Sequence, residues 1–328
     1  MLLTAVVPCY NEQEALPLFC EEFERVASAM RETHPDLSLE LLLVDDGSTD
    51  GTLDAMRSLA AESRGEGVAA AVHYLSLSRN FGKESALYAG LCHASGDLVA
   101  TMDADMQDPP PSLLPEMYEL VSSGACDQAA ARRRDRAGEP AVRSWFAHRF
   151  YRLINRMSQA DIVDGARDFR LMTRPVVDAV VSMGEYNRFS KGIFGWVGFR
   201  TEWVSYDNVE RAAGKTKWSF WSLFRYAVEG IVAFSTAPLQ FASLAGILFC
   251  IVAAVAFVFI IARAAMFGDP VAGWPSLVSI VLFIGGVQML CLGVIGQYLA
   301  KTYLETKHRP IYLVRESDLG DEGTHRRG

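Results

Sequence analysis

Asp103 and Asp105 stand two residues apart at the end of a short apolar run that starts at Leu98, and Gln107 continues the spacing. Side chains alternate along an extended backbone, so all three groups point the same way from a strand's end. Two carboxylates held that close repel each other unless a cation sits between them. Hard oxygen donors with room for water and a diphosphate suit Mg2+ or Mn2+, which makes Asp103, Asp105 and Gln107 a candidate metal set. Asp108, Pro109 and Pro110 then brake the chain. The plain alternative is a solvated acidic turn, because an isolated D-x-D often arises by chance.

Other polar clusters offer chemistry of their own. Asp45-Asp46-Gly47-Ser48 ends a Val- and Leu-rich run, where a carboxylate can accept hydrogen bonds from a base or a ribose. A helix cap and turn would account for Gly47, Ser48 and Asp50, but not for the acid pair. Gly82 allows close approach to the backbone, and Lys83, near a helix start, can meet an anion. Asp168 lies between Arg167 and Arg170. Those charges fit a salt-bridged turn, and they also fit a carboxylate kept ionised beside an anionic acceptor. Arg211, Lys215 and Lys217 lead into Trp218, a basic loop that can clamp a diphosphate or simply flank a membrane.

These groups need a frame. Apolar runs at residues 2–7, 39–44, 69–77 and 97–102 alternate with helical spacing over 12–31, 49–61 and 83–94, and Pro8 is expected to stop the first run. Such alternation implies a parallel sheet covered by helices. Ligands bind at the carboxyl ends of such strands, so the four polar clusters should converge on one edge. Further on, the spacing predicts a helix at 142–157, a polar turn at 164–170, a strand at 195–204, an aromatic interfacial helix at 218–234 and a short returning strand at 309–314. The tail from Arg315 reads as disordered, and no internal repeat is evident.

Of the 328 residues, 50% are apolar, but they are unevenly spread. Residues 230–262 and 270–300 contain no charge, and each run exceeds the roughly 20 residues that cross a bilayer core. Lys215, Lys217, Arg225, Lys301, Lys307 and Arg309 flank these runs, which places both ends of a helical hairpin and the large N-terminal part in the cytoplasm. The net charge of −8 argues against nucleic acid as a partner. Six cysteines without metal spacing read as apolar fillers in a reducing compartment, and residues 1–7 lack the basic leader of a signal peptide.

The ordered motifs 7–12, 44–50, 80–84 and 103–109 resemble those of the family 2 inverting glycosyltransferases with a GT-A fold. Asp168-Phe169-Arg170, Arg188-Phe189-Ser190-Lys191-Gly192, Lys215-Thr216-Lys217-Trp218 and the terminal hairpin narrow the resemblance to the polyprenyl-phosphate branch, of the bactoprenol glucosyltransferase and dolichol-phosphate mannose synthase type. The resemblance implies a Rossmann-like, mostly parallel GT-A sheet over residues 1–212, a juxtamembrane segment at 213–235, two membrane helices within 236–300 and a cytoplasmic tail at 301–328. It implies a nucleotide sugar held by Pro8, Tyr10, Glu12, Asp45, Asp46, Lys83 and Asp103, and Mg2+ or Mn2+ on Asp103, Asp105 and Gln107. Asp168 and Asp105 take the catalytic positions, while Arg132, Arg143, Arg170, Arg211, Lys215 and Lys217 face the acceptor phosphate.

The implied reaction transfers a sugar, most simply from UDP-glucose, to undecaprenyl or another polyprenyl phosphate at the plasma membrane. UDP-N-acetylglucosamine and GDP-mannose are alternative donors, and an inactive membrane scaffold is the rival of another class. The resemblance also implies a homo-oligomer such as a tetramer. The processive Q-x-x-R-W signature is absent, which argues for a single transfer.

Overall fold

The computed structural model describes residues 1–65, 67–104, 111–133, 166–206, 237–267 and 273–320. Asp105, Gln107, Arg143, Arg211, Lys215, Lys217 and the helices expected at 142–157 and 218–234 lie outside the described residues.

The four apolar runs become four adjacent strands. β1 (Leu2–Cys9) pairs in parallel with β2 (Ser38–Asp45) and with β4 (Leu98–Thr101), and β2 pairs in parallel with β3 (Ala70–Leu77). Parallel neighbours need crossovers, and α1 (Ala15–Thr33), α2 (Thr52–Glu62) and α3 (Lys83–His93) supply helices between successive strands. Alternation along β1 serves both faces: Leu3, Ala5 and Val7 join the core of α1 through Leu16, Phe19 and Phe23. Val6 joins the opposite core with Leu87 and Leu91 of α3.

After α4 (Leu114–Ser122) the pattern turns mixed. β6 (Ala166–Thr173) runs antiparallel between β4 and β5 (Gln128–Arg133), and β7 (Thr201–Tyr206) lies parallel to β5 at that edge. α5 (Arg174–Ser182) and α6 (Ser190–Trp196) separate β6 from β7. At the far edge β8 (Val314–Ser317) pairs antiparallel with β3, giving the order β7-β5-β6-β4-β1-β2-β3-β8.

Four expectations are corrected. β1 runs through Pro8 to Cys9. Val6 accepts from Met102 N on the β4 side, so Pro8 faces that side too, beyond the end of β4, where its missing donor costs no ladder bond. The expected polar turn is strand from Ala166 onward, because Phe169 and Leu171 are buried on one face and the charged residues Arg167, Asp168 and Arg170 around them disguise the alternation. The strand expected at 195–204 is the end of α6, a turn at Gly198 (φ +73°) and β7. The returning strand is Val314–Ser317, so Arg315 is part of the sheet, and Asp318 beyond it accepts from Tyr74 N at 2.7 Å.

The charge-free runs form α7 (Ala237–Phe267) and α8 (Trp274–Thr306). They lie antiparallel, with the Phe249 and Phe283 rings 5.4 Å apart and Cys291 Sγ 3.9 Å from the Ala242 carbonyl. Phe241, Val258, Met289 and Leu290 on their outer faces are each more than 60% exposed. Among the described residues, Phe283–Thr306 is long and apolar enough to cross a membrane by length and composition.

Close packing of α3 on the sheet depends on Gly90, where an added Cβ would come within 2.2 Å of Val6 Cγ1 and 3.0 Å of Val44 Cγ2. Both neighbours are β-branched and cannot easily turn away. Gly90→Ala should therefore destabilise the chain by about 1–3 kcal/mol. A thermal melt of the detergent-solubilised protein checks this, and an unchanged midpoint would refute the close-packing argument.

Candidate active site

The carboxyl ends of the parallel strands open into a cavity of about 290 Å³, lined by Pro8, Cys9, Tyr10, Glu12, Asp46, Asn80, Gly82, Lys83, Ala86, Asp103 and Ala104. The loops forming it are stitched together. Asn11, at φ 56°, donates its N–H to Ser48 Oγ and accepts from Thr49 N through Oδ1 at 2.9 Å, joining the ends of β1 and β2. Gly47 must be glycine, because at φ +66° a Cβ would sit 2.4 Å from the Arg79 carbonyl carbon.

The two acids after β2 divide their work. Asp45 is buried; Oδ1 accepts from Ser48 N at 2.9 Å and Oδ2 from Ser76 Oγ at 2.7 Å, so it fixes its own turn and does not line the cavity. Asp46 does line the cavity and accepts from Phe81 N (2.7 Å) and Gly82 N (2.9 Å), shaping the approach to α3. Burial raises its pKa, and those two donors pull against the rise.

Lys83, the first residue of α3, reaches across the cavity. Its Nζ lies 2.7 Å from Asp103 Oδ1 and 2.7 Å from Asp168 Oδ2. Asp168 arrives on β6, whose register sets Arg170 opposite Thr101, so Asp168 continues the strand towards Asp103. Thr101 Oγ1 donates to the Asp168 carbonyl and pins that junction. Lys191, second residue of α6, lies 3.7 Å from Asp168 Oδ1. Burial alone would raise the pKa of Asp168, but the charges of Lys191 and Lys83 outweigh it and hold the carboxyl well below the usual carboxylate range. Burial likewise pulls against Lys83, while Asp168 and Asp103 keep its ammonium above the ordinary lysine range.

Residues expected at the acceptor phosphate divide differently. Arg132 is exposed near the end of β5, opposite Ala166. Arg170 is 3% exposed. Its guanidinium stacks 4.6 Å from the Phe194 ring and 5.4 Å from Trp203, and Nη1 donates to Gln128 Oε1 at 3.4 Å. Burial pulls its pKa down to about 10 against the opposing charge of Asp168. Arg170 therefore supports Asp168 from beneath and is not open to a ligand phosphate.

Two contributors carry no role from sequence reasoning. Glu84 accepts from Ser190 N at 2.9 Å and from Ser190 Oγ, so Lys83-Glu84 faces Ser190-Lys191 around Asp168. The motif 188–192 was the available signal, but the partner of Lys191 depends on how α3 and α6 meet. For a divalent ion, Asp103 offers hard carboxylate oxygens at the cavity and thus fits such a site, with Asp105 and Gln107 the further oxygen groups of the motif. Among the described residues alone, no group of three or more His, Cys, Asp or Glu side chains could hold a metal.

The family model "Glycosyl transferase family 2" matches residues 4–181, and the chain belongs to that family. It is 41% identical over 321 residues, 96% of this chain and 99% of the relative, to a prophage bactoprenol glucosyl transferase homolog of Escherichia coli K12. It is 40% identical over 324 residues, 98% of this chain and 100% of the relative, to the bactoprenol glucosyl transferase of Shigella phage SfII. A mannosyltransferase of Pyrobaculum calidifontis, solved with GDP-Man and Mn2+, is a remote likeness: 17% identity, TM-score 0.45, covering 90% of this chain and 86% of that one.

The lysine bridge makes a pH-dependent prediction. The depressed pKa of Asp168 means its stabilising contribution is full above the ordinary carboxylate range and is lost only as pH falls through the depressed value. Lys83→Met leaves Asp103 and Asp168 repelling each other at neutral pH. Because Lys83 is half exposed and screened, the melting temperature should fall by only about 2–4 °C at pH 7. The deficit should shrink towards pH 4 as the two acids take up protons and their mutual repulsion is relieved. A deficit independent of pH would remove the bridge from the argument.

Proposed function

We propose that the chain transfers glucose from UDP-glucose, with inversion, to polyprenyl (undecaprenyl) phosphate at the cytoplasmic face of the plasma membrane. The observation that carries this is the 41% identity, over 96% of the chain, to a relative named for bactoprenol glucosyl transfer. Tyr10, Glu12 and Asp46 line the cavity that would take the nucleotide sugar. Asp103, with Asp105 and Gln107, would hold Mg2+ or Mn2+, which when bound neutralises charge developing on the departing nucleoside diphosphate. Lys83 offers a second positive charge beside that group.

The acceptor supplies its own nucleophile. A phosphate monoester has a second pKa near 6, so at neutral pH it is largely a dianion and needs no strong base. Asp168 then orients the acceptor side, with Lys83 and Lys191 offsetting the repulsion between its carboxylate and the phosphate. The apolar faces of α7 and α8 support anchorage by a two-helix membrane hairpin, holding the site where the phosphate of a bilayer-embedded polyprenyl chain lies. Residues 1–212 are the catalytic domain in this reading, and the protein acts as a homo-oligomer.

Membranes containing the full chain, polyprenyl phosphate and a panel of labelled UDP-glucose, UDP-N-acetylglucosamine and GDP-mannose test it. Label from UDP-glucose alone should become lipid-linked, chelation should stop transfer, and Mn2+ or Mg2+ should restore it. Transfer from another donor alone would overturn the choice of sugar. Asp168→Asn should lower turnover about 100-fold or more with donor KM within about threefold. Near-normal turnover with donor and metal saturating would remove Asp168 from the catalytic assignment.

A further inference from the structure

Glu305 lies in the last turn of α8, where helix electrostatics favours cations over a carboxylate. Its two oxygens instead accept from consecutive backbone N–H groups, Tyr186 at 2.9 and 3.1 Å and Asn187 at 3.2 Å. Those donors belong to the connection between α5 and α6, which leads directly to the site. Arg188 is clamped there: its Nη1 donates to the Met183 carbonyl, Nη2 to the Val180 carbonyl at 3.4 Å, and its guanidinium sits 4.1 Å from the centre of the Tyr88 ring. Ser190 is fixed on Glu84, and Lys191 follows beside Asp168. Just beyond α8 a second tether holds: Tyr312 is buried, with its ring 6.1 Å from Tyr88 and 6.0 Å from His93 on α3.

We infer that Glu305 is a positioning residue: it seats the end of the apolar helix α8 on residues 186–191 and thereby sets Lys191 against Asp168. The inference rests on the reading of Asp168 as the acceptor-side carboxylate. It makes the placement of the membrane helix a condition for the geometry of the reacting charges, so that docking of α8 and readiness of the site go together.

The test uses the full chain in lipid nanodiscs. Glu305→Ala should lower kcat for lipid-linked transfer by about 10- to 100-fold, as expected for a misplaced reacting group, with donor KM within about threefold. Glu305→Gln, which keeps one accepting oxygen, should recover part of that loss. The double variant Glu305→Ala/Lys191→Ala should be no slower than Lys191→Ala alone, because both changes remove the same placement. Losses that multiply in the double variant, or donor affinity falling in step with kcat, would overturn the inference. Hydrogen exchange reads the docking without turnover: the amides of Tyr186 and Asn187 should exchange faster in Glu305→Ala, with faster exchange extending to Lys191. Unchanged exchange, or faster exchange confined to Tyr186 and Asn187, also overturns it. A wild-type chain that transfers no sugar to polyprenyl phosphate would sink the functional reading separately, leaving the exchange result to decide the docking.

Discussion

The ammonium of Lys83 between Asp103 and Asp168 is the contact on which the site depends. Without it, two carboxylates from different strands would be driven apart, and β4 and β6 would end in mutual repulsion. With it, three elements meet at one point: β4 through Asp103, β6 through Asp168 and α3 through Lys83. The approach to Lys83 is itself fixed, because Asp46 grips the N–H groups of Phe81 and Gly82 immediately before the helix starts. A charge from the end of β2 thus sets the position of a charge on α3. That Lys83 is half exposed matters for function, since an enclosed bridge would have no face left for a ligand.

The sheet carries the consequences outward. β7 and β8 lie at its opposite edges, so the chain leaves on one side, forms α7 and α8, and returns on the other. The return is well anchored. β8 pairs with β3, Asp318 accepts from Tyr74 N, and Arg57 of α2 grips Glu316 at 2.7 Å. In chain order the apolar helices fall between two strands of one sheet, and the segment after them is tied back to it.

The sequence made the parallel half legible because two periods agree there. Leu41 to Val44 is apolar throughout and buried, as a strand covered on both faces must be, and a later segment switches to helical spacing. The convergence of Pro8, Glu12, Asp46, Lys83 and Asp103 on one cavity follows from that topology alone. The antiparallel half was harder to read. Arg167, Asp168 and Arg170 look like a solvated turn, yet Arg170 is enclosed by Gln128, Phe194 and Trp203, residues far apart in the chain. Asp45 misleads in the opposite sense: a charge at a strand end suggests a ligand, but Ser48 and Ser76 use both of its oxygens. No local pattern distinguishes Asp45 from Asp46, because the difference lies in which way alternate side chains face.

The direction of the Asp168 shift bears on the kind of acceptor the site is built for. A general base works best with a pKa near the operating pH, and enzymes that need a carboxylate base raise it by burial or by a neighbouring acid. Burial here pushes in that direction, yet Lys191 and Lys83 reverse it. The result is a carboxylate that accepts a proton poorly and stays charged. A sugar hydroxyl as nucleophile would lose its proton in the transition state and would be badly served by such a group. An acceptor that arrives already ionised asks only for placement and for charges to offset its own. The same two lysines meet both needs, because they keep Asp168 anionic and leave positive charge beside it. The electrostatics of the cluster thus fit the phosphate acceptor proposed above.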